Sequence, residues 1–135
     1  MAPWILPTLG YIITLGLAGV TIKLALRTIS WQQLVLWVPV VYIVWAIVFA
    51  LVGGARFPLG AGGGWAALTA LCASSALILF FVALDRGDAS KVVPVGSAYP
   101  VVTLIASAIF LSESITPIRV AGTALVVAGV VLLSR

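Results

Sequence analysis

Leu34 to Val52 reads LVLWVPVVYIVWAIVFALV, without one charged side chain. About 20 predominantly apolar residues are what a helix needs to cross the hydrocarbon layer of a bilayer. In water, a helix that is apolar all round has to be wrapped on every side by other elements. This chain has no polar clothing to spare for that. Of its 135 residues, 64% are hydrophobic and 7% charged, against about 25% charged in an ordinary soluble domain. Mean hydropathy is +1.32. The segment belongs in lipid, and the soluble, disordered and nucleic-acid-binding classes are excluded. The formal charge of +4 does not alter this. The basic residues are scattered singly and form no patch for nucleic acid. In a membrane protein they set orientation instead.

Outward from this span, the charged residues punctuate four more apolar runs. The expected fold is all-α and integral to the membrane: a five-transmembrane-helix bundle with a kinked fourth helix. It forms one domain over residues 1–135, with helices at about 4–26, 34–52, 65–84, 92–111 and 117–133. Five spans use about 100 residues and leave about 35 for ends and turns. Pro39 is expected to kink the second span. Gly53–Gly64 (GGARFPLGAGGG) reads as a loop. Pro117 suits a first helical turn. The first span has no basic leader and no A-x-A site, so it is expected to stay as a helix rather than be cleaved. Lys23, Arg27, Arg86, Lys91 and Arg135 fall on one side, Arg56 and Arg119 on the other. The positive-inside rule then predicts the N-terminus outside and the C-terminus inside. The expected location is the inner (cytoplasmic) membrane, multi-pass, with the lipid bilayer as the first partner.

The polar and small residues carry what functional signal there is. Ala66, Ala70 and Ser74 share one face of span three. Ala121, Ala124 and Ala128, with Gly122 and Gly129, form a small-residue stripe on span five. Such stripes let helices approach closely in lipid, either within the chain or against a partner subunit. Span four is unusual. It opens Asp88-Ala89-Ser90-Lys91, where Asp88 or Ser90 can cap the helix. It then places Pro94 and Pro100 around Gly96. Pro100 frees a carbonyl near Gly96, and freed backbone at membrane depth is tolerated only where protein or a water-filled cavity satisfies it. Gly96, Ser97, Tyr99 and Pro100 are therefore candidate cavity residues, unless the prolines only bend the helix. Lys23 either snorkels to the interface or lines the same path, together with Ser74. Glu113 either ends span four and partners Arg119, or takes a coupling or gating role. Asp85, Arg86, Asp88 and Lys91 read as a solvated turn of mixed sign.

The absences are also informative. There is no histidine, the commonest general base and metal ligand. Cys72 stands alone, so no internal disulfide forms. No nucleophile–base pair is visible, so no catalytic residue, cofactor or metal is expected and an enzyme is the weakest class. No carboxylate lies mid-membrane, where an exporter of organic cations would need one. Tyr11, Thr14, Thr21, Ser74, Ser75, Ser97, Tyr99, Thr103 and Ser107 instead suit a neutral, zwitterionic or amphipathic cargo.

Three stretches carry a family resemblance. Ala83 to Val95 (ALDRGDASKVVPV), followed by Pro100 and by Phe110-Leu111-Ser112-Glu113, resembles the EamA domain of the drug/metabolite transporter superfamily. Arg119 to Val130 resembles that family's last helix, with Gly122, Leu125 and Gly129 fitting G-x-x-L-x-x-x-G. Gly16 to Lys23 is similar to its first helix, lysine included. The resemblance implies five helices per domain and a short, single-domain member that needs a second copy to build a pathway. It further implies an antiparallel homodimer, as in the related small multidrug resistance proteins, or an oppositely oriented paralogous subunit. Two departures stand out. Ser114 follows Glu113 where the family commonly has Arg or Lys, and span one lacks the mid-helix Glu of the small multidrug resistance proteins. The expected function is secondary transport of a small metabolite or amphipathic compound, by a dimer working through alternating access. The alternatives are a subunit of a lipid-linked sugar or lipid carrier flippase, and a non-transporting membrane accessory protein.

Overall fold

A computed structural model describes residues 3–57 and 60–134. Arg135, used above for orientation, lies outside them. Among the described residues all regular structure is helical: α1 Ile5–Ala25, α2 Trp31–Gly53, α3 Ala61–Arg86, α4 Ala89–Gly96, α5 Pro100–Phe110 and α6 Pro117–Ser134. α1, α2, α3 and the Ala89–Phe110 stretch formed by α4 and α5 are each long and apolar enough to cross a membrane. α6 is apolar but shorter, about 27 Å at 1.5 Å per residue.

Burial fits lipid as the solvent. Among the described residues, the buried hydrophobic side chains are Ile22, Phe81 and Leu84. No residue of α2 is buried. A water-facing protein would forfeit about 25 cal/mol for each Å² of apolar surface left exposed in this way. In hydrocarbon that penalty vanishes, and what must be satisfied is the backbone, which only helices and closed barrels achieve across a bilayer.

The chain divides into two compact units, Val20–Arg86 and Met1–Gly19 with Gly87–Arg135. In the Val20–Arg86 unit, α2 packs against α3. α2 begins at Trp31, ahead of the expected Leu34, because Ser30 and Gln33 form a capping box. Ser30 Oγ accepts from the Gln33 N–H at 3.3 Å, and Gln33 Oε1 accepts from the Ser30 N–H at 2.9 Å. Two orphan donors are thereby satisfied. The helix continues through Pro39 and closes on Gly54 in the left-handed region (φ 61°), whose N–H donates to the Phe49 carbonyl. α3 begins at Ala61, inside the run expected to be loop, so Gly62, Gly63 and Gly64 are helical. Each glycine costs about 1 kcal/mol relative to alanine in a helix. At a membrane boundary the need to bond every backbone group within the segment outweighs that cost.

In the other unit, α4 and α5 both pack on α6. Gly19 of α1 is buried, and a Cβ built on it would lie 2.8 Å from Val93 Cγ2. Only a glycine lets α1 and α4 approach this closely. The α6 stripe behaves differently. Ala121, Gly122, Ala124 and Ala128 are exposed, and a Cβ on Gly122 or Gly129 meets nothing within 4 Å. The stripe does not carry the packing of α6 within this unit.

Candidate functional site: a cleft between α5 and α6

The site grows from the interruption in span four. Asp88 holds the N-cap of α4 without a side-chain hydrogen bond. Its carbonyl accepts from Lys91 and Val92 at 3.0 and 2.9 Å. The α-ladder stops at Gly96 and restarts at Pro100. Between them the bonds tighten to three-residue spacing: the Ser97 N–H reaches the Pro94 carbonyl at 3.0 Å and the Ala98 N–H the Val95 carbonyl at 3.1 Å. Pro100 stands in the first turn of α5, where a missing N–H is no loss. It opens a new helix, and the Gly96 carbonyl loses its ladder donor. Ser97 Oγ donates back to the Val93 carbonyl at 3.0 Å. Tyr99 is half exposed, with its hydroxyl 3.4 Å from that of Tyr11 on α1.

The other end of α5 is closed by a backbone device. The Leu111 and Glu113 N–H groups both donate to the Ser107 carbonyl, at 3.0 and 3.3 Å. This places Ser112 in the left-handed region at φ 54°, a conformation that costs a residue with a Cβ more than glycine. Glu113 emerges beside the first turn of α6, with Oε2 3.9 Å from Arg119 Nη1. The same Nη1 donates to the Ser114 carbonyl at 3.1 Å. Both side chains are about half exposed (54% and 52%). At this separation and exposure the pair contributes only about 0–1 kcal/mol.

Between these ends runs an open cleft of about 460 Å³, lined by Tyr99, Pro100, Thr103, Leu104 and Ser107 of α5, by Glu113, and by Arg119, Gly122, Thr123 and Val126 of α6. Thr103 and Ser107 turn their hydroxyls onto their own helix, to the Tyr99 and Leu104 carbonyls at 3.3 and 3.2 Å. Of the residues singled out from sequence, the cleft brings together Tyr99, Pro100, Thr103, Ser107 and Glu113. Gly96 and Ser97 lie in and beside the adjoining turn but are not among its lining residues. Lys23 and Ser74 belong to the Val20–Arg86 unit. There the Lys23 ammonium donates to the Leu84 carbonyl at 2.7 Å, near the end of α3, and Ser74 Oγ donates to the Leu71 carbonyl at 3.1 Å. Arg119, Gly122, Thr123 and Val126 were not assigned to the site by sequence. Their spacing of three, four and seven residues is that of a single helix face, and that was the available signal. Among the described residues there is no cluster of His, Cys, Asp and Glu able to hold a metal ion.

Comparison with known proteins adds two findings. The model of a family described as the EamA-like transporter family matches residues 2–135. An uncharacterized protein of Methanocaldococcus jannaschii is 36% identical over 70 residues, a stretch covering 52% of this chain and 51% of that protein. The match thus spans about half the length of the curated relative. No solved structure matches the chain.

Proposed function

The chain belongs to the EamA-like transporter family, and from that membership we propose that it is a secondary membrane transporter for a small metabolite or amphipathic compound. The observation that carries the reading is the α5–α6 cleft, with Tyr99 and Pro100 beside the interruption of span four and Glu113 at its charged end. Discontinuous helices build transporter sites because their unpaired backbone groups face cargo rather than lipid. In this reading span four bends at Ser97–Tyr99 within a five-helix bundle. Gly96, Ser97, Tyr99 and Pro100 line the path, joined by Lys23 and Ser74 on the sequence reading. Opening of the Glu113–Arg119 pair gates it.

Two chains complete the passage and work by alternating access, as an antiparallel homodimer or with an oppositely oriented paralogous subunit. The exposed Ala121, Ala124 and Ala128 face of α6 supports a partner helix. The chain would lie in the cytoplasmic membrane with its N-terminus outside and its C-terminus inside. A second reading, a subunit of a lipid-linked sugar or lipid carrier flippase, draws support from the openness of the cleft along its apolar length.

The test is flux into proteoliposomes, screened with radiolabelled amino acids, sugars and nucleosides and with amphipathic dyes. At least one solute should enter only with protein present, and Tyr99→Ala should cut its uptake about tenfold (roughly 1.4 kcal/mol in the barrier) while the protein still elutes as a single species. Unchanged flux in Tyr99→Ala would remove the cleft from the pathway.

A further inference from the structure

We propose that the α5–α6 cleft takes a zwitterionic amphiphile with one hydrocarbon chain, its headgroup held between Glu113 and Arg119 and its chain directed toward Val126. This rests on the reading of the cleft as part of the substrate pathway and specifies what enters it.

The lining changes character along its length. α6 contributes Arg119 at one end and Val126 at the other, seven residues or about 10 Å apart. α5 contributes Pro100 to Ser107 over a similar distance. Both charges, Glu113 and Arg119, gather at one end. Beyond them the lining carries no charge: Leu104, Gly122 and Val126 alternate with the hydroxyls of Thr103, Thr123 and Tyr99. Thr103 and Ser107 donate their hydroxyl protons to their own backbone carbonyls, which leaves the hydroxyls of Thr123 and Tyr99 as the polar groups beyond the charged end. Gly122 leaves open space where a side chain would stand. The volume, about 460 Å³, corresponds to roughly fifteen water-sized groups at ~30 Å³ each. That accommodates a headgroup and the first part of one chain.

The charge pair selects the headgroup. Glu113 and Arg119 meet at only 3.9 Å with half of each side chain exposed, so a ligand displaces little when it parts them. A ligand carrying both signs gives each side chain a new partner and leaves the net charge unchanged. An anion alone would gain only Arg119 and a cation alone only Glu113, one charge-assisted contact in place of two. Arg119 is also already steered by the Ser114 carbonyl. Its remaining N–H groups can donate to an anionic group without rebuilding the loop.

The experiment is native mass spectrometry of the full chain in maltoside micelles with four probes: lysophosphatidylethanolamine, lysophosphatidylglycerol, dodecyltrimethylammonium, and phosphoethanolamine without a chain. Wild type should retain lysophosphatidylethanolamine about threefold to fivefold more strongly than the other three, the discrimination that half-exposed charges carry. Glu113→Gln should shift the preference to lysophosphatidylglycerol, and Arg119→Gln to dodecyltrimethylammonium. Val126→Trp should weaken every chain-bearing probe. If a single charge variant cannot be purified, the swap Glu113→Arg with Arg119→Glu keeps the pair and should keep the wild-type order. Equal retention of the three amphiphiles by wild type, or an order that the charge variants leave unmoved, overturns the assignment. The two readings fail separately. Flux that depends on Tyr99 without headgroup selectivity leaves the pathway standing and removes the zwitterion. Selectivity without Tyr99-dependent flux removes the cleft from the pathway, and with it the proposal that the bound amphiphile is cargo.

Discussion

Gly19→Ala should destabilise the protein, whereas the same change at Gly10 or Gly16 on the same helix should not. The difference comes from one contact. A Cβ at Gly19 would lie 2.8 Å from Val93 Cγ2, whereas a Cβ at Gly10 or Gly16 meets nothing within 4 Å. Carbon atoms are most comfortable at about 3.5–4.0 Å, so the new methyl overlaps its neighbour by about 0.7 Å or more. Val93 cannot swing away freely, because a β-branched side chain in a helix is held to essentially one rotamer. Either α1 and α4 move apart or Val93 leaves its well, at about 1–3 kcal/mol. Against this, alanine gains up to about 1 kcal/mol over glycine in a helix interior. Gly10→Ala and Gly16→Ala should therefore be neutral or stabilising by up to about 1 kcal/mol. Gly19→Ala should lose roughly 0–2 kcal/mol on balance, about 1–3 kcal/mol worse than the controls. The assay is reversible unfolding in mixed micelles, followed by tryptophan fluorescence. The cycle with Val93→Ala isolates the contact: in that background the Gly19→Ala penalty should fall by about 0.5–3 kcal/mol. If Gly19→Ala unfolds with the two control variants, or costs the same with and without the Val93 methyls, the close approach of α1 and α4 is not what requires glycine at position 19.

Two further outcomes follow from the hydrogen bonds of the Val20–Arg86 unit. Ser30→Ala dismantles the capping box at the start of α2 and should cost about 1 kcal/mol, with faster amide exchange at Gln33; protection unchanged at Gln33 would count against the cap. Lys23→Met removes the 2.7 Å bond to the Leu84 carbonyl and should destabilise by about 1.5–3 kcal/mol, the usual range for a hydrogen bond to a charged group, while Lys23→Arg should retain most of the stability. Flux that collapses in Lys23→Arg without loss of stability would instead place Lys23 on the substrate path.

The all-helical, membrane-embedded character was legible in the sequence because it is set by solvent. Runs such as Leu34–Val52 leave no other place for the chain. What escaped was set by local bonding and by contact. The start of α2 was read at Leu34, although Ser30-Trp31-Gln32-Gln33 carries the S-x-x-Q signature of a capping box. Gly62–Gly64 read as loop because glycine is a poor helix former in water, while the membrane boundary weights unbonded backbone more heavily. Pro94 and Pro100 marked span four as irregular, but not that Pro100 would start a fresh helix. In the cleft, Glu113 and Tyr99 were visible as polar residues in an apolar chain. Thr123, Gly122 and Val126 were not, because small and aliphatic residues on a membrane helix look alike until a neighbour defines which face they share. Gly19 differs from Gly10 and Gly16 only through Val93, seventy-four positions along the chain.

With the buried hydrophobic side chains among the described residues reduced to Ile22, Phe81 and Leu84, the usual tax on altering interior volume applies at few of them. Over most of α2, leucine, isoleucine, valine and phenylalanine should be interchangeable, and the sequence is free to drift among them. The identity of the protein is then written in few letters: a glycine opposite Val93, the two prolines of span four and a serine–glutamine cap. A library that interchanges the exposed aliphatics of α2 should yield mostly folded chains, whereas one that randomises Gly19, Ser30 and Gln33 should return glycine, serine and glutamine there more often than chance.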